Sequence, residues 1–180
     1  MSSQPAGTPP PAPPEWRGRY LEDIEVGQRF RSRFGRTVTE TDNVWFTAVT
    51  HNTNPIHFDA EFAARTRFGQ RLVDSTFTLA LVVGLSVPDT SENAAANLEW
   101  HTIRLPHPVF HGDTIWVESE VMATRRSASR PTVGIVEVRT RGVNQRAEVV
   151  CEFRRSFMLY SRDAPEAVSG FPETEEPWGV

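Results

Sequence analysis

Apolar and polar residues alternate through the second half of the chain. Ile115, Val117, Val121 and Ala123 are interleaved with Glu118 and Glu120, and Val149, Cys151, Phe153, Phe157 and Leu159 share one face of a later run, with Arg154 and Ser156 opposite. A period of two over such lengths describes half-buried antiparallel strands. The spacing predicts strands over 95–105, 113–126, 132–143 and 147–160, and an earlier one over 28–38, where Phe30 and Phe34 frame a basic stretch. Gly112-Asp113 and Asn144-Gln145 supply turns, and 127–131 a longer hairpin loop. The middle of the chain changes period. Thr41-Asp42 ahead of Val44, Trp45, Phe46, Ala48 and Val49 reads as a capped helix start. Phe62, Ala63, Ala64 and Phe68, between Asp59 and Gly69, read as a second short helix closed by glycine. Residues 75–87 are apolar nearly all round, so a helix there has to be enclosed on most sides. Four or five strands with one such helix give an α+β fold, a curved antiparallel sheet wrapped around a long buried helix.

The ends differ from this body. Residues 1–15 contain six prolines (Pro5, Pro9, Pro10, Pro11, Pro13 and Pro14) and little to bury, so a solvated, polyproline-like arm is expected. Residues 163–180 carry Asp163, Glu166, Glu173, Glu175 and Glu176 and read as an acidic tail. Residues 16–162 remain as a single domain. A chain of 180 residues suits one domain, long enough to bury roughly 70% of its unfolded surface without staples.

Composition then narrows the chemistry. Hydrophobic residues at 38% and aromatics at 10% exclude a wholly disordered chain. No apolar run reaches membrane-spanning length, and the N-terminus lacks the basic and apolar stretches of a secretory signal. The single cysteine, Cys151, excludes a disulfide framework and a cysteine-built zinc site, and on the core face of its strand it reads as a small buried hydrophobe. A reducing cytoplasm is the expected compartment. A net charge of −4 disfavours a nucleic-acid partner. All nineteen basic residues are arginine, which excludes a lysine Schiff base and is explained by coding bias.

The densest polar cluster is His51-Asn52-Thr53-Asn54-Pro55-Ile56-His57. Pro55 fixes its own φ and pushes Asn54 out of helical geometry, which presents His57 on a stiff turn. Two readings are open on these residues alone: an Asx-turn satisfied by its own backbone, or a site. Elsewhere, His107 and His111 are four apart, but Pro108 prevents the helix that would pair them on a metal. His51 and His101 carry no pattern. The stretch Val83-Gly84-Leu85-Ser86-Val87 lacks the second glycine of a nucleophile elbow, and no glycine-rich phosphate loop is present.

Asn54-Pro55-Ile56-His57, followed by Asp59 and a short helix, resembles the signature of the MaoC-like dehydratases, the (R)-specific enoyl-CoA hydratases. The resemblance extends over about residues 20–160. It takes in the helix through Trp45 and Phe46, the apolar helix after Val73, Leu105-Pro106 to Pro108-Val109, and Gly112-Asp113-Thr114. It implies a hotdog fold and reversible addition of water to an α,β-unsaturated acyl thioester. The substrate would be carried by CoA or by an acyl-carrier protein, with no cofactor and no metal, in a homodimer or larger homo-oligomer. Asn52-Thr53-Asn54-Pro55, Asn97-Leu98 and Arg104-Leu105-Pro106 are similar to members acting on branched or dicarboxylic short-chain acyl-CoA thioesters, of the mesaconyl-CoA hydratase kind.

In that family a carboxylate two residues before the motif's Asn and a His three residues after it hold the attacking water. The His is His57, but the carboxylate position is Asn52, which orients water without accepting its proton. A lost acid or base costs about 10²–10⁴ in rate. The resemblance therefore implies His57 and Asn52 as catalytic, backbone donors at Ser75 and Thr76 as the thioester-binding pair, and Asn54 and Asp74 as substrate-binding or spare polar groups. Asp74 suits a helix N-cap equally well. Asn52→Asp is expected to retain or raise turnover. A hotdog thioesterase using Asp74 or Asp59, and a non-catalytic subunit in which Asn52 marks lost activity, are the alternatives. Arg125, Arg126 and Arg130 read either as contacts for CoA phosphates or as an ordinary solvated hairpin tip.

Overall fold

The computed structural model describes residues 18–166, 174 and 176; the arm expected over 1–15 and most of the acidic tail expected over 163–180 lie outside them. Three long strands form a meander, β4 (Thr114–Arg126), β5 (Val133–Asn144) and β6 (Val149–Tyr160). Their inward positions are Ile115, Val117 and Val121 on β4, Val136 and Val138 on β5, and Cys151, Phe153, Phe157 and Leu159 on β6, all buried. Two short strands, β1 (Arg29–Arg31) and β2 (Arg36–Thr37), line the outer edge of β4, and β3 (Ala94–Arg104) lines β6. The order is β1-β4-β5-β6-β3, antiparallel throughout. The outer face carries cross-strand ion pairs: Glu120 with Arg29 and Arg139, Glu118 with Arg31 and Arg141, and Glu137 with Arg154. Exposed pairs of this kind contribute about 0–1 kcal/mol each, and they favour one strand register over a slipped one.

The sheet packs on α3 (Ser75–Thr90), in the wrapped-helix α+β arrangement expected. Its buried positions, Thr78, Val82, Ser86 and Thr90, fall every four residues on one stripe. The fuller enclosure that the all-round apolar pattern calls for is not reached within one chain. Phe77, Leu79, Leu81, Val83 and Leu85 are half-buried, and Thr76, Ala80 and Gly84 lie exposed. The helix also runs past the expected end at 87 and through Pro88, which in a last turn removes a single backbone hydrogen bond.

Three boundaries differ from expectation for local reasons. The strand expected over 28–38 is broken into β1 and β2, because Gly35 packs on the Trp116 ring and the pairing with β4 slips by two residues between Arg31↔Glu118 and Arg36↔Ile115. The first helix, α1 (Glu40–Val49), starts before Thr41: Thr39 caps it, and Asp42 answers with its own side chain on the Thr39 N–H. The second, α2 (Ala60–Ala64), stops short of Gly69, because Thr66 bonds back to the Ala63 carbonyl and ends the helix. No helix among the described residues is long and apolar enough to cross a membrane.

Candidate active site

α1 ends in a turn that normally needs glycine. His51 sits at φ 55°, its N–H pointing to the Ala48 carbonyl, while the next N–H, that of Asn52, bonds the Thr47 carbonyl at 2.9 Å. This is a Schellman ending with a non-glycine in the left-handed position, a strained arrangement costing about 1 kcal/mol. It brings Asn52 back beneath the helix. Asn52 Oδ1 accepts from the Asn54 N–H at 3.1 Å, and Asn54 Oδ1 accepts from the Ile56 N–H at 3.2 Å, capping the 3-10 turn Pro55–His57. Asp59 caps α2. The Asx-turn reading of these residues is thus correct as local structure, and its product is a buried His57, 8% exposed.

His57 Nδ1 lies 3.1 Å from the Leu72 carbonyl. A carbonyl only accepts, so Nδ1 carries the proton in the neutral ring and Nε2 keeps its lone pair. No hydrogen bond to Nε2 is present among the described residues. That is the tautomer a general base requires.

Asp74 lies at the N-terminus of α3. Oδ1 accepts from the Thr76 N–H at 2.7 Å, the Thr76 hydroxyl at 2.5 Å and the Phe77 N–H at 3.3 Å, and Oδ2 accepts from Asn52 Nδ2 at 2.5 Å. Burial by itself pushes this carboxyl's pKa up. The hydrogen bonds from Thr76, Asn52 and Phe77 outweigh it and hold the pKa below the usual range. Asp74 is therefore an ionised N-cap. The carboxylate missing at position 52 stands one hydrogen bond away. The Thr76 N–H, a candidate thioester donor, is committed to Asp74, whereas no hydrogen bond occupies the Ser75 N–H among the described residues. Asp74→Ala is expected to lower stability by about 1–2 kcal/mol at pH 7, or roughly 2–8 °C in Tm. Because the folded pKa is depressed, this stabilisation is complete above about pH 5 and fades as the pH falls through the ordinary carboxylate range. The gap between melts of parent and variant should narrow as the pH is lowered from 7 to 3; an equal gap at both pH values would contradict the ionised cap.

Two residues complete the site, Asn43, which the sequence did not single out, and His111, which it set aside. Asn43 on α1 is fully buried and bonds both site segments, and His111 Nε2 is 3.2 Å from its amide nitrogen. Burial, and then the charge of Arg71, hold the His111 pKa below its usual value, against the opposing pull of Glu40. The available signal is the inverted face of α1: the polar pair Asn43 and Thr47 is buried, while Trp45 and Val49 are 68% and 72% exposed.

A cleft of about 220 Å³ opens beside Ser75 between Phe68, Leu72 and Thr78 on one side and the 105–109 segment on the other, with Arg67 at its rim. Arg125, Arg126 and Arg130 are not part of this cluster. Arg125 and Arg126 end β4 at the opposite extreme from Thr114, roughly 40 Å along the strand at about 3.3 Å per residue, and Arg126 is engaged by Glu22 and Ser161.

The sequence and the fold have counterparts. The family model for the MaoC like domain matches residues 23–144. The chain belongs to the MaoC-like family. A mesaconyl-CoA hydratase of Cereibacter sphaeroides is 35% identical over 158 residues, 87% of this MaoC-like chain and 46% of that protein. A putative MaoC domain dehydratase of Chloroflexus aurantiacus, at 32% identity, superposes with a TM-score of 0.77 over 96% of this chain and 46% of its own. A conserved hypothetical protein of Mycobacterium tuberculosis with a double hotdog fold superposes at TM-score 0.75 and 23% identity, over 86% of this chain and 47% of its own, and supports the fold alone. The MaoC-like chain is thus one hotdog unit and spans about half the length of these relatives.

Proposed function

We propose that the chain is an acyl-CoA hydratase/dehydratase, adding water reversibly to an α,β-unsaturated thioester. His57 Nε2 takes a proton from water as the water oxygen bonds to the β-carbon. The displaced π electrons move onto the thioester oxygen, and His57 returns the proton to the α-carbon. The Ser75 N–H, at the positive end of α3, faces the developing enolate. Asn52 and the remaining lone pair of Asp74 Oδ2 hold the water. The observation that carries this reading is the 2.5 Å contact of Asn52 with Asp74, which returns a carboxylate to the neighbourhood where the signature lacks one. The same contact argues against hydrolysis through Asp74, since a carboxylate held ionised by four donors is a weak base.

For the acyl group, we propose a short, dicarboxylic chain. The named relative supports it, as do the small cleft beside Ser75 and the guanidinium of Arg67 at its rim. Purified protein with crotonyl-CoA and with mesaconyl-CoA, followed by enoyl absorbance and by free thiol, tests both levels. Loss of enoyl absorbance without thiol release is expected, faster for mesaconyl-CoA. Thiol release would establish a thioesterase, and no change with either substrate a non-catalytic unit.

We also propose a homodimer. Among the described residues β3 bonds only β6, so its outer edge is open, and Leu98, Trp100 and Ile103 stand exposed along it. An open apolar edge calls for a partner, and the double hotdog relative holds two such units in one chain. Light scattering is expected to give twice the 20.3 kDa of one chain, and Trp100→Glu one chain's mass. A parent protein of single-chain mass would remove the dimer.

A further inference from the structure

Asn43 touches no solvent, yet its side chain reaches every segment of the site. Oδ1 accepts from the Asp74 N–H at 2.8 Å, and Nδ2 faces the His57 carbonyl at 2.8 Å, the Leu72 carbonyl at 2.9 Å and His111 Nε2 at 3.2 Å. This orientation is fixed by its partners: the flipped amide would set an oxygen against two carbonyls and a nitrogen against an N–H. The Leu72 carbonyl is the same one that accepts from His57 Nδ1. One backbone oxygen therefore receives both the amide of Asn43 and the ring of His57, one donor per lone pair.

We propose that Asn43 is a positioning residue for hydration, aligning the His57 ring through the Leu72 carbonyl. The inference rests on the reading of His57 as the base. Nδ2 has two protons and three acceptors, so it is fully occupied and cannot swing away. A fixed Leu72 oxygen specifies both the plane of the imidazole and the tautomer that leaves Nε2 bare. The bond to the Asp74 N–H ties the start of α3 to the same point, so His57 and the Ser75 donor are held in one frame. His111, kept neutral, presents a lone pair to Nδ2 and adds to the grip. Groups that orient a reactive imidazole through its far nitrogen are worth about 10–100-fold where they have been removed from metal-bound histidines.

Asn43→Asp keeps the volume and the acceptor for Asp74 and replaces the donor by oxygen. Its kcat for the enoyl-CoA hydrated by the parent is expected to fall about 10–100-fold with KM changed little, because Asn43 does not meet substrate. Nitrogen-15 NMR of the ring, above the imidazole titration range, should show the parent His57 protonated at Nδ1 and the variant a mixture of tautomers. If Asn43→Asp does not fold, Asn43→Ser, which leaves space for a water in place of the amide, carries the same two readouts. A parent His57 protonated at Nε2, or a folded variant with parental kcat and parental ring shifts, overturns the proposal. A parent without hydratase activity removes the proposed function instead, and the ring shifts still decide whether Asn43 sets the tautomer.

Discussion

His57→Ala is expected to lower hydration of an enoyl thioester by about 10²-fold or more, while binding of the thioester changes little. The ring is buried, its Nδ1 is bound to Leu72, and its Nε2, the proposed base, carries no hydrogen bond among the described residues. Alanine removes that base and leaves Asp74, whose depressed pKa makes it a poor substitute. Asn52→Ala is expected to cost less, since Asp74 keeps its three donors from the start of α3. For Asn52→Asp the geometry gives a different expectation from the sequence. The new carboxylate would stand at hydrogen-bond distance from Asp74, and two carboxylates that close cannot both ionise without large cost. Their repulsion raises the pKa of one of them, so activity should be lower than the parent's at high pH and recover as the pH is lowered. Initial rates across pH 5–9, with the melting temperature of each variant, check all three. Parental activity in His57→Ala would move the chemistry away from this turn.

Gly142→Ala is expected to destabilise the sheet strongly. Gly142 lies on β5 between Val117 and Cys151 and faces α3, where an added Cβ would overlap Val82 Cγ2. Val82 is fully buried, and a β-branched side chain in a helix has essentially one rotamer. The clash is relieved only by lifting α3 from the sheet. Overpacking of this kind costs about 1–3 kcal/mol, or roughly 3–10 °C in Tm for a chain of this size. Val82→Ala opens space at the same point, so the pair should couple: the double variant is expected to lie above the sum of the singles by about 1 kcal/mol. Strict additivity in a thermal melt would show that Gly142 and Val82 do not share this contact.

The strands were legible because each long one shows a clean period of two, and because Gly112-Asp113 and the Asn144 turn mark their ends. Along β6 the same pattern hides one position. Between Phe153 and Phe157 the inward slot belongs to Arg155, 2% exposed, held by Thr90 and Ser91 at the C-terminal end of α3 and by Asn97 of β3, with its guanidinium pushed down to about 10 by burial. Periodicity counts an arginine as outward. The oxygens of Thr90, Ser91 and Asn97 and the negative end of the helix make an inward one tenable. At the site, His57, Asn52 and Asp74 were legible because their local order resembles a known signature. Asn43, His111 and the Leu72 carbonyl were not, because a backbone oxygen has no letter in a sequence, and because an asparagine in a helix reveals its partners only once the helix is placed.

The strand order also bears on synthesis. β3 ends at Arg104, but its partner β6 begins at Val149; β1 and β2 likewise wait for β4, which begins at Thr114. As the chain leaves the ribosome, α3 emerges before β4, β5 and β6, the long strands that pack on it. Early folding is confined to local helices, and the β4–β5–β6 meander, joined by short turns, is the part of the sheet that assembles from neighbouring residues. A nascent chain arrested before β4 displays a largely uncovered α3, and one arrested before β6 still displays an unpaired β3, the kinds of surface that chaperones bind and that aggregate with other unfinished copies.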